Sequence, residues 1–248
     1  MKPDGKTFKW YKKVSVERYS YKGVDGYFVL LDNRVMLTEK RKLVHVPNEL
    51  IAVAVANEWQ AQGSTINTSL MPLMRLVYTA MEWTPSMREK IIDGILSQFE
   101  ADNFLFSYPE HEILLRETVE KYQLPIVRWF EDKYQVKLNM AENVSKEQPA
   151  KALLAVSEFL SGLDDWQLTA VETIVTNSKS VLLAMAIQQD EVDVEHAVKA
   201  AQTEQDVQTA KWGTMENGHD LETFYNKIEL SAGAFFLHAS GSHKILGG

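Results

Sequence analysis

The strongest constraint on the fold is a change of periodicity at about Pro47. Before it, β-rich runs are short and broken by turn residues: Val14 to Ser20, Tyr27 to Leu31, Arg34 to Thr38 and Leu43 to Val46, with Val24-Asp-Gly26 and Asp32-Asn33 between them. Such runs read as strands of a small antiparallel sheet. Asp32 and Asn33 tolerate a positive φ, so this spacer predicts a hairpin between the second and third runs. After Pro47 the chain reads as helix. Met87, Ile91, Ile95 and Phe99 recur every four residues and put one apolar stripe on a helical face. The expected class is therefore α+β: a β-rich N-terminal domain with one helix over 1–70, followed by an all-α bundle over 71–248.

Caps and prolines set the expected helix boundaries. Asn48 can cap a helix running to about Gln62, and Pro72 can take the first position of the next. Thr84-Pro85 reads as a further start. Pro109 can open a helix that Pro125 kinks or divides, and the half carrying Ile126, Trp129, Phe130 and Tyr134 should end near Gln135. Pro149 opens another, closed near Gly162. Asp164 or Asp165 can cap a long helix from Trp166 to Gln189, apolar nearly all round and so buried in the bundle. Asp193 is expected to cap a helix to about Trp212, and Asp220 one from Leu221 to His238. Asn177-Ser-Lys-Ser180 interrupts the most apolar helix, where each unpaired buried polar group costs about 1–3 kcal/mol. These side chains are read as bonding to neighbouring helices or reaching the bundle edge; a polar spot in a binding groove is the alternative.

Signals for chemistry are sparse. A net charge of -8 argues against general affinity for nucleic acid, which needs clustered Lys and Arg. With no cysteine there is no disulfide, thiolate metal site or thiol nucleophile. No apolar run approaches the ~20 residues that span a bilayer, so no membrane insertion is expected. His111-Glu112 lacks the second histidine of a zinc-protease helix, and the other histidines are scattered, so no metal is expected. Without a glycine-rich phosphate loop, no cofactor is expected either. The acids Glu191, Asp193, Glu195, Glu204, Asp206, Glu216, Asp220 and Glu222 read as a solvated helix face. Trp59 falls beside the expected junction of sheet and bundle, where a large aromatic packs. An enzyme built on carboxylates is a weaker alternative, because no pair of acids is forced together by spacing.

A set of segments in fixed order adds a resemblance. They are Leu31-Asp-Asn-Arg34, Val46-Pro47, Asn57-Glu-Trp-Gln-Ala-Gln62, Met71-Pro-Leu-Met-Arg-Leu76, Glu204-Gln-Asp-Val-Gln-Thr-Ala-Lys-Trp-Gly213, His219-Asp220 and Ala232-Gly-Ala-Phe-Phe-Leu-His238. Together, from Tyr11 to about Ser240, they resemble the ATP-twelve family of ATP synthase assembly chaperones. The chain departs from the family pattern at Gln205, at Phe106-Ser107 and at Gln123-Leu-Pro125. The resemblance implies a chaperone that binds the unassembled ATP synthase α subunit, prevents its aggregation until the β subunit replaces it, and makes or breaks no covalent bond. It implies the mitochondrial matrix, with the import leader outside these residues, or the cytoplasm of a related bacterium. It also implies a partner contact at Glu204; Asp206, Trp212 and Trp59 are further candidates on the reading that the C-terminal helices and the sheet-bundle junction form the contact surface. Asp206 lies about 200° around the helix from Glu204, so the two are not expected to share a face. The expected state is a monomer. A permanent subunit of a larger assembly, using the same surfaces, is the alternative.

Overall fold

The computed structural model describes residues 7–142, 146–212 and 219–241, the side chains of 212 and 219–223 excepted. It has the expected class, with short antiparallel sheets first and helices after them. Two compact units emerge. One extends to Ser86 and takes in the chain again from His238; the other is Met87–Leu237.

The first unit holds β1 (Thr7–Phe8), β2 (Val14–Tyr21), β3 (Val24–Leu31), β4 (Arg34–Val35), β5 (His45–Val46), α1 (Glu49–Gln60), β6 (Thr65–Ile66) and α2 (Pro72–Tyr78). β3 is the centre of the main sheet, antiparallel to β2 from Val14↔Leu31 to Tyr21↔Val24, and antiparallel to β4 and β5. β1 and β6 pair separately. The β3–β4 turn is the expected one, with Asp32 at φ 47° and Asn33 at φ 63°. The β2–β3 turn is at Lys22-Gly23, with φ of 53° and 79°, whereas Val24-Asp-Gly26 belongs to β3. Gly26 serves close approach rather than turning: a Cβ there would lie 2.5 Å from His45 Nε2 and 2.8 Å from the Val46 carbonyl oxygen. Phe28 to Leu31 are buried, as are Ile51, Ala52 and Val55 of α1, which packs on β2 and β3. Asn48 caps α1 as expected, its Oδ1 accepting from the Leu50 N–H at 2.8 Å. Pro72 opens α2, which packs on α1, so the expected 70/71 boundary falls inside this unit.

Pro85 does not open a helix. α2 runs through a π turn, Thr79–Trp83, into α3 (Thr84–Glu100), with the Thr84 N–H reaching back five residues to the Thr79 carbonyl. A proline inside a helix removes one N–H and crowds the preceding turn, and the wider π turn accommodates it.

Within the second unit come α4 (Ile113–Tyr122), α5 (Leu124–Tyr134), α6 (Ala150–Ser161), α7 (Asp165–Ser178), α8 (Val181–Gln188), α9 (Val194–Ala201), α10 (Thr203–Trp212) and α11 (His219–Gly241), the last continuing past the unit's end. Pro125 separates α4 from α5, and Gln135, at φ 49°, ends α5. α6 follows Pro149 and stops at Gly162, and Asp164 caps α7 in a reciprocal box with Gln167. Four expectations need correction. Pro109 lies ahead of α4, its carbonyl accepting from the Glu112 N–H in a turn. The single helix expected from Trp166 to Gln189 is two, because Lys179 turns left-handed (φ 57°) and Ser180 caps α8. The helix expected after Asp193 also breaks, at Gln202, into α9 and α10. α11 begins at His219, ahead of Asp220, whose side chain lies outside the described residues. Phe99, Phe104, Phe130, Leu160, Leu168, Ile174, Leu182 and Phe236 are wholly buried and form the core, and every residue of α8 from Val181 to Ile187 is buried.

Candidate functional site

The break between α7 and α8 is held by a carboxylate from far away in the chain. Asp102 is fully buried, and its Oδ2 accepts from the N–H groups of Val181 (2.7 Å) and Leu182 (3.0 Å) at the start of α8. Its Oδ1 accepts from the Phe104 N–H at 2.9 Å. These are donors that a helix N-terminus leaves without partners, and the helix dipole favours a negative charge there. Burial nevertheless dominates and pushes the carboxyl up to about 6, against the pull of those N–H groups. The junction side chains are satisfied locally: Ser178 Oγ donates to the Ile174 carbonyl at 2.7 Å, and Ser180 Oγ accepts from the Leu183 N–H at 3.1 Å. The two serines are buried and bonded within their own helices, not to neighbouring helices or at the bundle edge as first read.

Asp102 fixes the turn that leads to Tyr108. The strand-like stretch after it is tied to Ala141 by Ala141 N–H to Leu105 O (2.8 Å) and Ser107 N–H to Ala141 O (2.7 Å). Tyr108, half-buried, donates its hydroxyl to Glu204 in the first turn of α10. Burial, and then the bond and charge of Glu204, raise the phenol well above its ordinary value, so it remains a donor at neutral pH. Near the other end of α10, Lys211 pairs with Glu112, whose carboxyl that hydrogen bond lowers. Glu204 is thus an exposed carboxylate held by a neighbouring phenol. Such a group can orient a hydrogen-bonding partner. It borders a cleft of about 350 Å³ whose walls include Asn103, Tyr108, Gln123, Asn177 and Lys179.

Asp206 is also exposed, and Tyr108 engages Glu204 and not Asp206, in keeping with their angular separation. The side chain of Trp212 lies outside the described residues, as do those of Glu216, Asp220 and Glu222. Trp59 belongs to the other unit. It is half-buried, meets Tyr11 edge-on at 5.6 Å, and its carbonyl accepts the Tyr11 hydroxyl at 2.6 Å. Its buried Nε1 has no hydrogen-bond partner among the described residues. The neighbouring Glu58 explains why two sequence segments travel together: its two carboxylate oxygens accept from the Leu73 and Met74 N–H groups, each at 2.8 Å, capping α2. Gln62 accepts from the Asn67 N–H at 2.7 Å, and Lys9 donates to the Gln60 and Gln62 carbonyls.

Sequence reasoning missed Asp102 and Tyr108, since neither partnership is local; the one available signal was an acid set beside the apolar Phe104-Leu105. Among the described residues no group of His, Asp and Glu could hold a metal ion, and no helix is long and apolar enough to cross a membrane.

With this geometry in place, comparison with known proteins is informative. Residues 8–131 match the family profile described as ATP12 chaperone protein. The mitochondrial protein atp12 of Schizosaccharomyces pombe is 29% identical over 219 residues, spanning 82% of this chain and 75% of that protein. The mitochondrial ATP12 protein of Saccharomyces cerevisiae is 24% identical over an alignment of 273 positions, 92% of this chain and 83% of that one. Among solved structures, Atp12 of Paracoccus denitrificans superposes with a TM-score of 0.80 at 22% identity, over 94% of this chain and 98% of the other. A protein of Agrobacterium tumefaciens gives 0.81 at 24% identity, over 93% and 85%. These two likenesses concern the fold.

Proposed function

The chain belongs to the ATP12 chaperone family, and on that premise we propose that it serves ATP synthase assembly by binding the unassembled α subunit until the β subunit replaces it. The observation that supports a specific contact is Glu204, exposed on α10 and oriented by Tyr108. Asp206 and Trp212 on the same helix, and Trp59 in the sheet unit, are further proposed contacts. An unassembled subunit exposes apolar surface that drives aggregation, and covering that surface prevents it. Apolar contact supplies affinity, while a carboxylate such as Glu204 supplies orientation and encounter rate. Release then needs no nucleotide: the β subunit competes for the same surface by mass action. The place of action is the mitochondrial matrix, or the cytoplasm of a bacterium carrying the same synthase.

Light scattering of freshly diluted α subunit tests this, with the protein, with its Glu204→Lys variant, and with neither. Suppression by the wild type that the variant loses is the expected result. If both suppress, the chaperone stands and the contact moves away from Glu204; if neither does, the function proposed here is wrong. Co-purification with finished synthase at fixed stoichiometry would make the protein a permanent subunit instead.

A further inference from the structure

β2 is the end strand of its sheet. It pairs with β3 from Val14 to Tyr21, and among the described residues no strand lies on its other side. The register says which main-chain groups are left over. The Lys13 carbonyl accepts from the Asp32 N–H at 2.9 Å, and bonded pairs alternate along an antiparallel ladder. Ser15, Glu17, Tyr19 and Tyr21 therefore turn their main-chain groups to β3, while Val14, Val16, Arg18 and Ser20 turn theirs outward. The N–H and C=O groups of those four have no hydrogen-bond partner among the described residues.

Exposed edges are normally blunted by proline, by a bulge or by being short. β2 uses none of these. It runs eight residues in unbroken register without proline or glycine, and Glu17 to Ser20 are exposed. Its one guard is charge, and that charge has a sign. Lys12 and Lys13 precede the strand, Arg18 lies within it and Lys22 follows it, against the single acid Glu17. The acids on and just after β3 are engaged: Asp25 pairs with Arg18 at 3.5 Å, and Asp32 accepts from the Lys12 and Lys13 N–H groups. In a chain of net charge -8 this is a basic strip.

An open edge takes another strand, whose main chain supplies N–H and C=O groups at the matching spacing. A second copy of β2 does not suit it. In full antiparallel overlap the two would set Lys12 and Lys13 of one copy against Lys22 of the other, and Glu17 or Arg18 against itself. Lysines that repel a like strand attract an acidic one.

We propose that β2 takes an extended, acidic segment of the client polypeptide as an added strand, bonded to the main chain of Val14, Val16, Arg18 and Ser20 and selected by Lys12, Lys13 and Lys22. The proposal rests on the chaperone function above and adds a second contact, in the sheet unit, that reads main chain and charge.

The test ranks fluorescently labelled peptides tiling the ATP synthase α subunit by anisotropy, then follows amide exchange of the protein residue by residue by NMR with the tightest binder. The N–H groups of Val16, Arg18 and Ser20 should exchange fast in the free protein and at least about tenfold slower in the complex. Those of Glu17 and Tyr19, already bonded to β3, should be protected in both states. A ligand lying on a face of the sheet would not slow alternate residues of one strand. Ser20→Pro removes one outward N–H and no bond to β3, and should weaken the peptide about tenfold while a cooperative thermal transition is retained. Ser20→Ala keeps that N–H and should bind as the wild type does. Lys12→Glu with Lys13→Glu should weaken binding at least about fivefold at low salt, with the gap closing as salt is added.

The idea is overturned if no peptide binds, if the tightest binders carry net positive charge, or if Val16, Arg18 and Ser20 stay fast in the complex. It is equally overturned if folded Ser20→Pro binds as Ser20→Ala does; should Ser20→Pro not fold, the alternating exchange pattern decides alone. Protection of the outward N–H groups without peptide, with a dimer mass in sedimentation, would give the edge to a second copy and also overturn it. A wild type that suppresses light scattering of the α subunit yet fails these tests keeps its chaperone function and loses the added strand; one that does not suppress it loses both.

Discussion

Each unit starts a helix with a carboxylate supplied from elsewhere in the chain, but one site is partly open and the other is dry. In the sheet unit, half-buried Glu58 caps α2 through the Leu73 and Met74 N–H groups. In the helical unit, wholly buried Asp102 caps α8 through Val181 and Leu182 and also takes the Phe104 N–H. Water can partly replace a lost acceptor at α2. At α8 it cannot, because the residues around the helix start are themselves fully buried. The same device is therefore a modest contribution in one place and a dependency in the other. Since Asp102 also sets the turn before Tyr108, the dry cap supports the Glu204 contact.

The largest expected effect is that of Asp102→Ala. It leaves three buried N–H groups without an acceptor and should lower the unfolding free energy by about 3–5 kcal/mol, read from urea midpoints. A loss below about 1 kcal/mol would remove the contrast between the two caps. Next comes a pH dependence. Asp102 is raised to about 6 in the fold from an ordinary value of 3.8, so the fold favours the protonated form. That contribution is fully present below about pH 4 and is lost as the pH rises through about 6. Relative to Asp102→Asn, which cannot titrate there, the wild type should lose up to a few kcal/mol between pH 4 and pH 7. A constant difference would mean that the N–H groups win over burial. Glu58→Ala should cost less, about 1–2 kcal/mol, as caps at partly exposed helix starts do. Smallest of all, Glu204→Lys should shift stability by no more than about 0.5 kcal/mol, as surface changes do, while abolishing protection of the client.

What was legible in the sequence was local. Asp32-Asn33, Asn48, Pro72, Pro125, Pro149 with Gly162, and Asp164 all act within a few residues of themselves, and each stands where its chemistry places it. The misses have two physical sources. Lys179 and Gln202 mark helix breaks without being glycine or proline, so tertiary packing overrides weak local preference there, whereas the β2–β3 turn carries its own glycine, Gly23, three residues before the one first read as the turn. Asp102 and Tyr108 work through partners 79 and 96 residues away, which no spacing rule reaches. Glu204 stood out only through the resemblance, since as one acid among eight it looked like solvated surface.

If the client sits on the Glu204 side of the helical unit, hydrogen exchange reads that contact out segment by segment. Exchange would be followed in this protein alone and with freshly diluted α subunit. Slowed exchange is expected in 103–108, 176–179 and 203–207, the segments that carry Tyr108, Asn177 and Glu204. Slowing confined to the β2–β5 sheet, with those three segments unchanged, would contradict it.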